Sequence, residues 1–296
     1  MKTELSPTIP MSCQYYMRIS NRSLGYLKPV HLKFGLVALC VSLLSGCYER
    51  HRTTDSLCEA YPSLCAGLNV NDGQCRIQRS NLIWQRYDVL KNSADAEKFK
   101  ELKLTHKYQV CLEYAARIEP TELKERKSRR MSALIHSYDS IKRLNQELAS
   151  SEDPNIIYYR WGQGDKKALR QFLLLEGSAK LETPELQLAL ATYYTGQDKE
   201  KTLQILSHAL ELYKEDQPIK PEIILSLATI SHQQGLAHHA YIWATVGRDF
   251  NLPVVRPERL AAFYPMEDAE REALNIQAKK ITKALKKGDF TVNMVK

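Results

Sequence analysis

Residues 159–172 read Tyr-Arg-Trp-Gly-Gln-Gly-Asp-Lys-Lys-Ala-Leu-Arg-Gln-Phe, and residues 193–206 read Tyr-Tyr-Thr-Gly-Gln-Asp-Lys-Glu-Lys-Thr-Leu-Gln-Ile-Leu. Set 34 positions apart, Tyr159 matches Tyr193, Gly162 matches Gly196, Gln163 matches Gln197 and Leu169 matches Leu203. Small Ala168 matches small Thr202, and large Phe172 matches large Leu206. A looser third copy runs through Leu227-Ala228, Gly235, Ala240 and Ala244. Such a period is the length of one helix-turn-helix unit. Pro154, Pro184, Pro221 and Pro257 recur at intervals of 30, 37 and 36 residues, and the last three are followed by Glu. Proline fits the first position of a helix, where its missing N–H has no intrahelical partner, and Glu there meets the positive end of the helix dipole. Asp153 and Thr183 precede two of these prolines as N-caps. The expectation is an all-α chain with helix-turn-helix repeats over residues 152–265. One such unit cannot bury its own apolar stripe, so neighbours stack. The amphipathic stretch Glu267–Lys286 is expected to close the stack within a C-terminal capping helix and tail, 266–296.

These residues resemble the tetratricopeptide and Sel1-like repeat superfamily, over Pro154 to about Leu285. The resemblance is carried by small residues where paired helices cross (Ala168, Ala191, Ala209, Ala228, Ala240), by the turn glycines Gly162, Gly196 and Gly235, and by Ala240-Tyr241-Ile242-Trp243, which looks like the Ala-Tyr-x-Trp step of Sel1-like repeats. It implies an α-solenoid whose concave groove holds an extended or helical peptide. Tyr159, Trp161, Tyr193, Tyr194 and Ser231 are the groove candidates, because Tyr and Trp give rigid contact area to a partner. The competing role for the same rings is packing between repeats.

Upstream, residues 81–151 read as helical. Between Asp95 and Ile118 the residues Phe99, Leu102, Tyr108, Cys111, Leu112 and Ala115 fall at helical intervals, and Pro120 ends the run. Thr121 can cap the next helix, in which Met131, Leu134, Tyr138, Ile141, Leu144 and Leu148 form an amphipathic stripe. Lys124, Arg126, Lys127, Arg129 and Arg130 give its first turns a basic character. They read either as a patch for anionic headgroups or an acidic partner, or as a solvated face paired with Glu122 and Glu125. No strand pattern appears, and Thr291–Val295 is too short to assign.

Residues 34–46, Phe-Gly-Leu-Val-Ala-Leu-Cys-Val-Ser-Leu-Leu-Ser-Gly, form an apolar run of signal-peptide length behind Lys28, His31 and Lys33. The run ends in Leu44-Ser45-Gly46-Cys47, which resembles the lipobox of bacterial lipoproteins. The resemblance implies cleavage before Cys47 and lipidation of its thiol. A signal peptide of normal length starts near Met17; the alternative is a long n-region. Residues 47–56 then form a polar tether. Tyr48 follows the cysteine where Asp would favour the inner membrane, so the expected location is the outer membrane, facing the periplasm. Removing residues 1–46 takes away Lys2, Arg18, Arg22, Lys28, Lys33 and Glu4, which lowers the net charge from +8 to +4. The mild surplus left excludes the strongly basic footprint of a nucleic-acid binder.

Of the seven cysteines, Cys13 and Cys40 leave with the signal and Cys47 is taken by lipid. Cys58, Cys65, Cys75 and Cys111 remain, an even number in an oxidising compartment, and read as two disulfides. Three pairings are open; Cys58–Cys65 with Cys75–Cys111 is favoured, stapling a Cys-rich leader over 57–80. The gaps match no common zinc spacing, and Asn69-Val70-Asn71-Asp72-Gly73 reads as a turn, since a calcium loop would need oxygen ligands where Leu68 and Arg79 stand. No phosphate loop, nucleophile elbow or His-Glu-x-x-His motif occurs. His232, His238 and His239 cluster in sequence without an evident carboxylate partner. No catalytic residue, metal site or cofactor is therefore assigned. The whole chain also resembles an uncharacterised family of predicted gammaproteobacterial lipoproteins, through the Cys-rich leader and Leu68-Asn-Val-Asn-Asp-Gly-Gln-Cys-Arg76. The expected function is a lipid-anchored, non-enzymatic scaffold that binds an envelope protein or peptide. The alternative is an envelope enzyme or metal-binding protein using the histidines or cysteines.

Overall fold

The computed structural model describes residues 53–119 and 124–295. The signal segment, Cys47 and the cap assigned to Thr121 lie outside the described residues. The chain divides after Leu64 into two units. In the first, helix α1 (Thr54–Ala60) is capped by Thr53, whose Oγ1 accepts from the Ser56 N–H at 3.2 Å. A single turn, α2 (Pro62–Cys65), crosses the boundary.

The second unit opens with three long helices, α3 (Arg76–Lys91), α4 (Asp95–Ala115) and α5 (Lys124–Glu147), each packed against the next. Leu82, Tyr108, Leu112, Ala115, Ala133 and Leu134 form their core. Helix α3 begins at Arg76, five residues before the helical pattern expected from Asn81. Cys75 in front of it takes the left-handed conformation, φ 57°. The expected leader is therefore partly helix.

Eight more helices follow: α6 (Pro154–Gly162), α7 (Lys166–Leu173), α8 (Pro184–Tyr194), α9 (Lys199–Glu211), α10 (Pro221–Gln233), α11 (Ala237–Asp249), α12 (Pro257–Phe263) and α13 (Asp268–Lys287). The described residues thus hold thirteen α-helices, two 3₁₀ turns and no strand. All four prolines of the sequence clock stand at helix starts. Asp153 accepts from the Asn155 N–H at 2.8 Å, and Thr183 accepts from the Leu186 N–H at 3.3 Å. The second helices of the first two pairs have caps too: Asp165 takes the N–H groups of Lys167 and Ala168, and Asp198 takes that of Lys201. Each cap satisfies orphan donors that a helix start leaves exposed.

Helices pack in consecutive pairs, α6 with α7, α8 with α9 and α10 with α11. Helix α6 also meets α8, α9 meets α10, and α13 lies on α11. One continuous core runs through them from Ile157 to Val295. The residues matched across 34 positions do matched work: Ala168 and Thr202 are fully buried, as are Phe172 and Leu206. The turn after α6 departs from the expectation for Gly162, since Gly164 is the residue with positive φ there (91°). Thr291–Val295 holds a 3₁₀ turn, Val292–Met294, within a segment that folds back: the Val292 N–H donates to Glu211 Oε1 at 2.8 Å, and Phe290 packs 6.0 Å from Trp243. Gly288 makes this return possible. It sits at φ 71°, and a Cβ there would lie 2.6 Å from the Glu215 backbone nitrogen.

Candidate functional site

The third helix pair opens on one side. Helix α10 presents Ala228 and α11 presents Ala244, so little side-chain volume separates them from the segment Pro253–Tyr264. The result is a cleft of about 340 Å³ lined by Leu225, Ala228, Ala244, Val254, Leu260 and Phe263, among others. Phe263 is 59% exposed and Val255 41% exposed at its edge. One polar pair marks the rim. The Tyr264 hydroxyl lies 2.7 Å from His232 Nδ1, with the rings nearly perpendicular. Burial pushes the Tyr264 phenol above its ordinary pKa, which keeps it a donor. In the tautomer whose Nδ1 accepts that proton, the imidazole's own N–H sits on Nε2. The cleft is suited to an apolar side chain with one hydrogen-bonding group beside it.

The three histidines do not converge. His232 turns to Tyr264, while His238 Nε2 pairs with Glu270 Oε1 at 2.9 Å on α13. The carboxylate that the sequence did not reveal thus comes from a helix 32 residues on. Among the described residues no group of three His, Cys, Asp or Glu side chains is placed to hold a metal ion.

The five groove candidates separate. Trp161, Tyr193 and Tyr194 come together: Trp161 lies 6.2 Å from Tyr193 and 5.5 Å from Phe172, and Tyr193 lies 5.0 Å from Tyr194. The Tyr194 hydroxyl donates to Glu176 at 2.7 Å. Tyr159 points the other way, packing 5.4 Å from Phe99 with its hydroxyl 3.2 Å from His106 Nε2. Ser231 is buried within α10.

The Cys75–Cys111 pairing is present, with Cα atoms 5.7 Å apart, and Cys58 and Cys65 are likewise disulfide-bonded. Beside Cys75 the Asn69–Gln74 stretch is a turn held by buried polar groups. Arg130 Nε meets Asp72 Oδ2 at 2.5 Å, and its Nη1 donates to the Ala115 carbonyl at 3.0 Å. Arg79 donates to the carbonyls of Asn69 and Asp72, both at 2.8 Å, and the Asn69 N–H donates to the Tyr108 hydroxyl. The Arg130 guanidinium outweighs burial and holds the Asp72 carboxyl down at about 2. Arg130 is therefore removed from the basic surface patch: it is 4% exposed. Arg129 pairs with Glu125 one turn away, and Lys127 pairs with Glu119.

Nothing among curated proteins or solved structures matches this chain. A family model described as a protein of unknown function (DUF2989) matches residues 44–245, from Leu44 in the lipobox-like motif to Thr245 in α11. By that match, over more than half of its length, the chain belongs to the DUF2989 family.

Proposed function

We propose that this protein is a lipid-anchored, periplasm-facing adaptor, without enzymatic activity, that binds an envelope protein or peptide through its paired helices. The open apolar cleft on the third pair carries this reading. Ala228, Ala240 and Ala244 leave room between Leu225, Val254 and Leu260, its edge exposes Phe263 and Val255, and the Tyr264–His232 pair stands on the rim. An apolar anchor residue of a partner fits such a wall, and His232 Nε2–H suits a carbonyl beside it. The Trp161–Tyr193–Tyr194 cluster offers a second contact area on the first two pairs. The array itself reads as a short solenoid of the tetratricopeptide or Sel1-like kind. Support comes from the proline-started helices and from the burial of Ala168, Ala191, Ala209 and Ala240 where the pairs cross. The anchor rests on Leu44-Ser45-Gly46-Cys47, and Tyr48 favours the outer membrane.

Photo-crosslinking in the living cell from positions 255 and 263 tests the adaptor reading. The expected result is a reproducible protein adduct that Ala228→Phe, by filling the cleft, removes. Absence of any adduct from either position, in cells where the protein is abundant, refutes it. The anchor is tested separately: Cys47→Ala should release the protein from membranes, and a cleaved, membrane-bound mutant argues against lipidation.

A further inference from the structure

Five of the exposed large apolar side chains lie on two adjacent helices. On α4, Val110 is 50% and Tyr114 67% exposed; on α5, Met131 is 45%, Ile135 56% and Tyr138 49% exposed. Their spacing makes each set a stripe. Lys103, Lys107, Val110 and Tyr114 recur every three or four residues, with Arg117 continuing the line past the helix end. On α5 the corresponding line is Lys127, Met131, Ile135, Tyr138 and Lys142. The stripes adjoin along the seam between the helices, because the Tyr138 hydroxyl donates to Glu113, the neighbour of Tyr114, at 2.9 Å. Apolar residues thus occupy the middle of this face and cations both ends. Along it, Lys127 is paired with Glu119; Glu113, which accepts from the Tyr138 hydroxyl, and exposed Asp139 remain anionic against Lys103, Lys107, Arg117 and Lys142, so the face keeps a surplus of two positive charges. Contiguous exposed apolar surface on a soluble unit marks an interface. Its composition, tyrosines and aliphatics framed by lysine and arginine, is that of a face lying at a headgroup boundary, where long cationic side chains reach the phosphates while their stems cover apolar surface.

We infer that the α4–α5 face docks on an anionic phospholipid surface, laying Val110, Tyr114, Met131, Ile135 and Tyr138 against the acyl boundary with the lysines among the phosphates. The inference stands on this face alone and does not depend on lipidation of Cys47 or on the cleft. It also corrects the simple reading of the basic run 124–130: the cations that matter lie along the apolar stripes, and Arg130 is spent inside.

The test uses the full chain on vesicles of equal parts phosphatidylcholine and phosphatidylglycerol, the latter carrying brominated acyl chains. Tryptophan is introduced at Ile135→Trp or Tyr114→Trp, with Leu174→Trp as the control. Leu174, 84% exposed, is the most exposed large apolar residue described and lies off this face. Quenching above that of the parent chain is expected at positions 135 and 114 and not at 174. Replacing Lys103, Lys107 and Lys142 by Gln should abolish it, even where the N-terminal segment keeps the chain on the vesicle, so loss of anchoring and loss of docking read differently. Equal quenching at 174, or equal quenching when all lipid is phosphatidylcholine, overturns the proposal. So does protection of position 135 from an aqueous quencher that grows with protein concentration without lipid, since that assigns the face to a second copy. Far-ultraviolet circular dichroism of each variant confirms that the helices are retained.

Discussion

Replacing Arg130 with Met keeps most of its volume and removes the charge that Asp72 is built around. Asp72 would then face a half-apolar interior with only Asn69 Nδ2 at 3.2 Å and the Gln74 N–H at 3.0 Å as donors. Two estimates bound the cost. The wild-type carboxyl is held at about 2 against an ordinary 3.8; at about 1.4 kcal/mol per unit, that preference for the ionised form contributes about 2 kcal/mol. Removing one partner of a buried pair leaves the other uncompensated and typically costs about 3–5 kcal/mol. The second figure is the larger because it includes the orphaned carboxylate and the loss of one of the two donors to the Ala115 carbonyl, which keeps the Ile118 N–H. The sign with pH follows from the lowered value: the contribution is fully present above 3.8 and is lost as pH falls through about 2. Hydrogen exchange of amides in α3–α5 reads this helix group without requiring the whole chain to unfold at once. Arg130→Met should lower protection there by about 3–5 kcal/mol at pH 7, with a flatter acid dependence. Asp72→Asn combined with Arg130→Met should recover part of the loss. Unchanged protection, or an unchanged acid profile in the single variant, would refute the claim that this pair organises the turn.

Gly288→Ala puts a Cβ against the Glu215 backbone at φ 71°. A left-handed alanine alone costs about 1–2 kcal/mol, so the return segment should detach and Trp243 emission should shift to the red; no shift would show that the backbone gives way easily. His208 is pushed down by burial, but Glu182 at 2.7 Å and Glu211 at 3.3 Å outweigh this and raise its pKa. Its contribution should be fully present below the ordinary 6.5 and disappear as pH rises through the raised value. His208→Gln should remove that pH dependence of thermal stability, and an NMR titration at or below 6.5 would contradict it. Reducing the Cys75–Cys111 bond, or replacing both residues with Ser, frees a loop of 36-residue separation. By chain entropy this should cost about 4 kcal/mol, measurable as lost protection in α3 and α4.

The helix starts were legible because their signals are local. A proline at the first position and an Asp or Thr before it act within one turn, and Pro154 and Pro184 behave in the structure as their neighbours in sequence require. Asp165 and Asp198 carry the same signal after the turn glycines and were open to the same reading. Arg130 was not legible. It stands in a run of basic residues on a helix that is otherwise solvated there, and its partner Asp72 lies 58 positions upstream. The groove candidates failed as a set for a geometric reason within reach of the sequence. Tyr159 and Trp161 are two residues apart on α6, and residues two apart lie on nearly opposite faces of a helix. Position 231 is turned inward while 232, one residue on, reaches the rim. The cleft itself was invisible, because it is made by what Ala228 and Ala244 leave out and by a connecting segment that returns across α10 and α11.

The return of the chain after α13 bears on the order in which the molecule is completed. Each helix pair closes through contacts of short sequence separation, so the pairs can form one after another as the polypeptide emerges during synthesis. The bond from Val292 to Glu211 is of another kind, joining positions 81 apart. Helix α9 can therefore pack against α8 early, but its Glu211 must wait for a segment made long afterwards. The last layer is a clasp set late. Until it shuts, the side of Trp243 that Phe290 covers is open to solvent, so the 288–295 segment adds a contact of long sequence separation to helix pairs built from shorter ones.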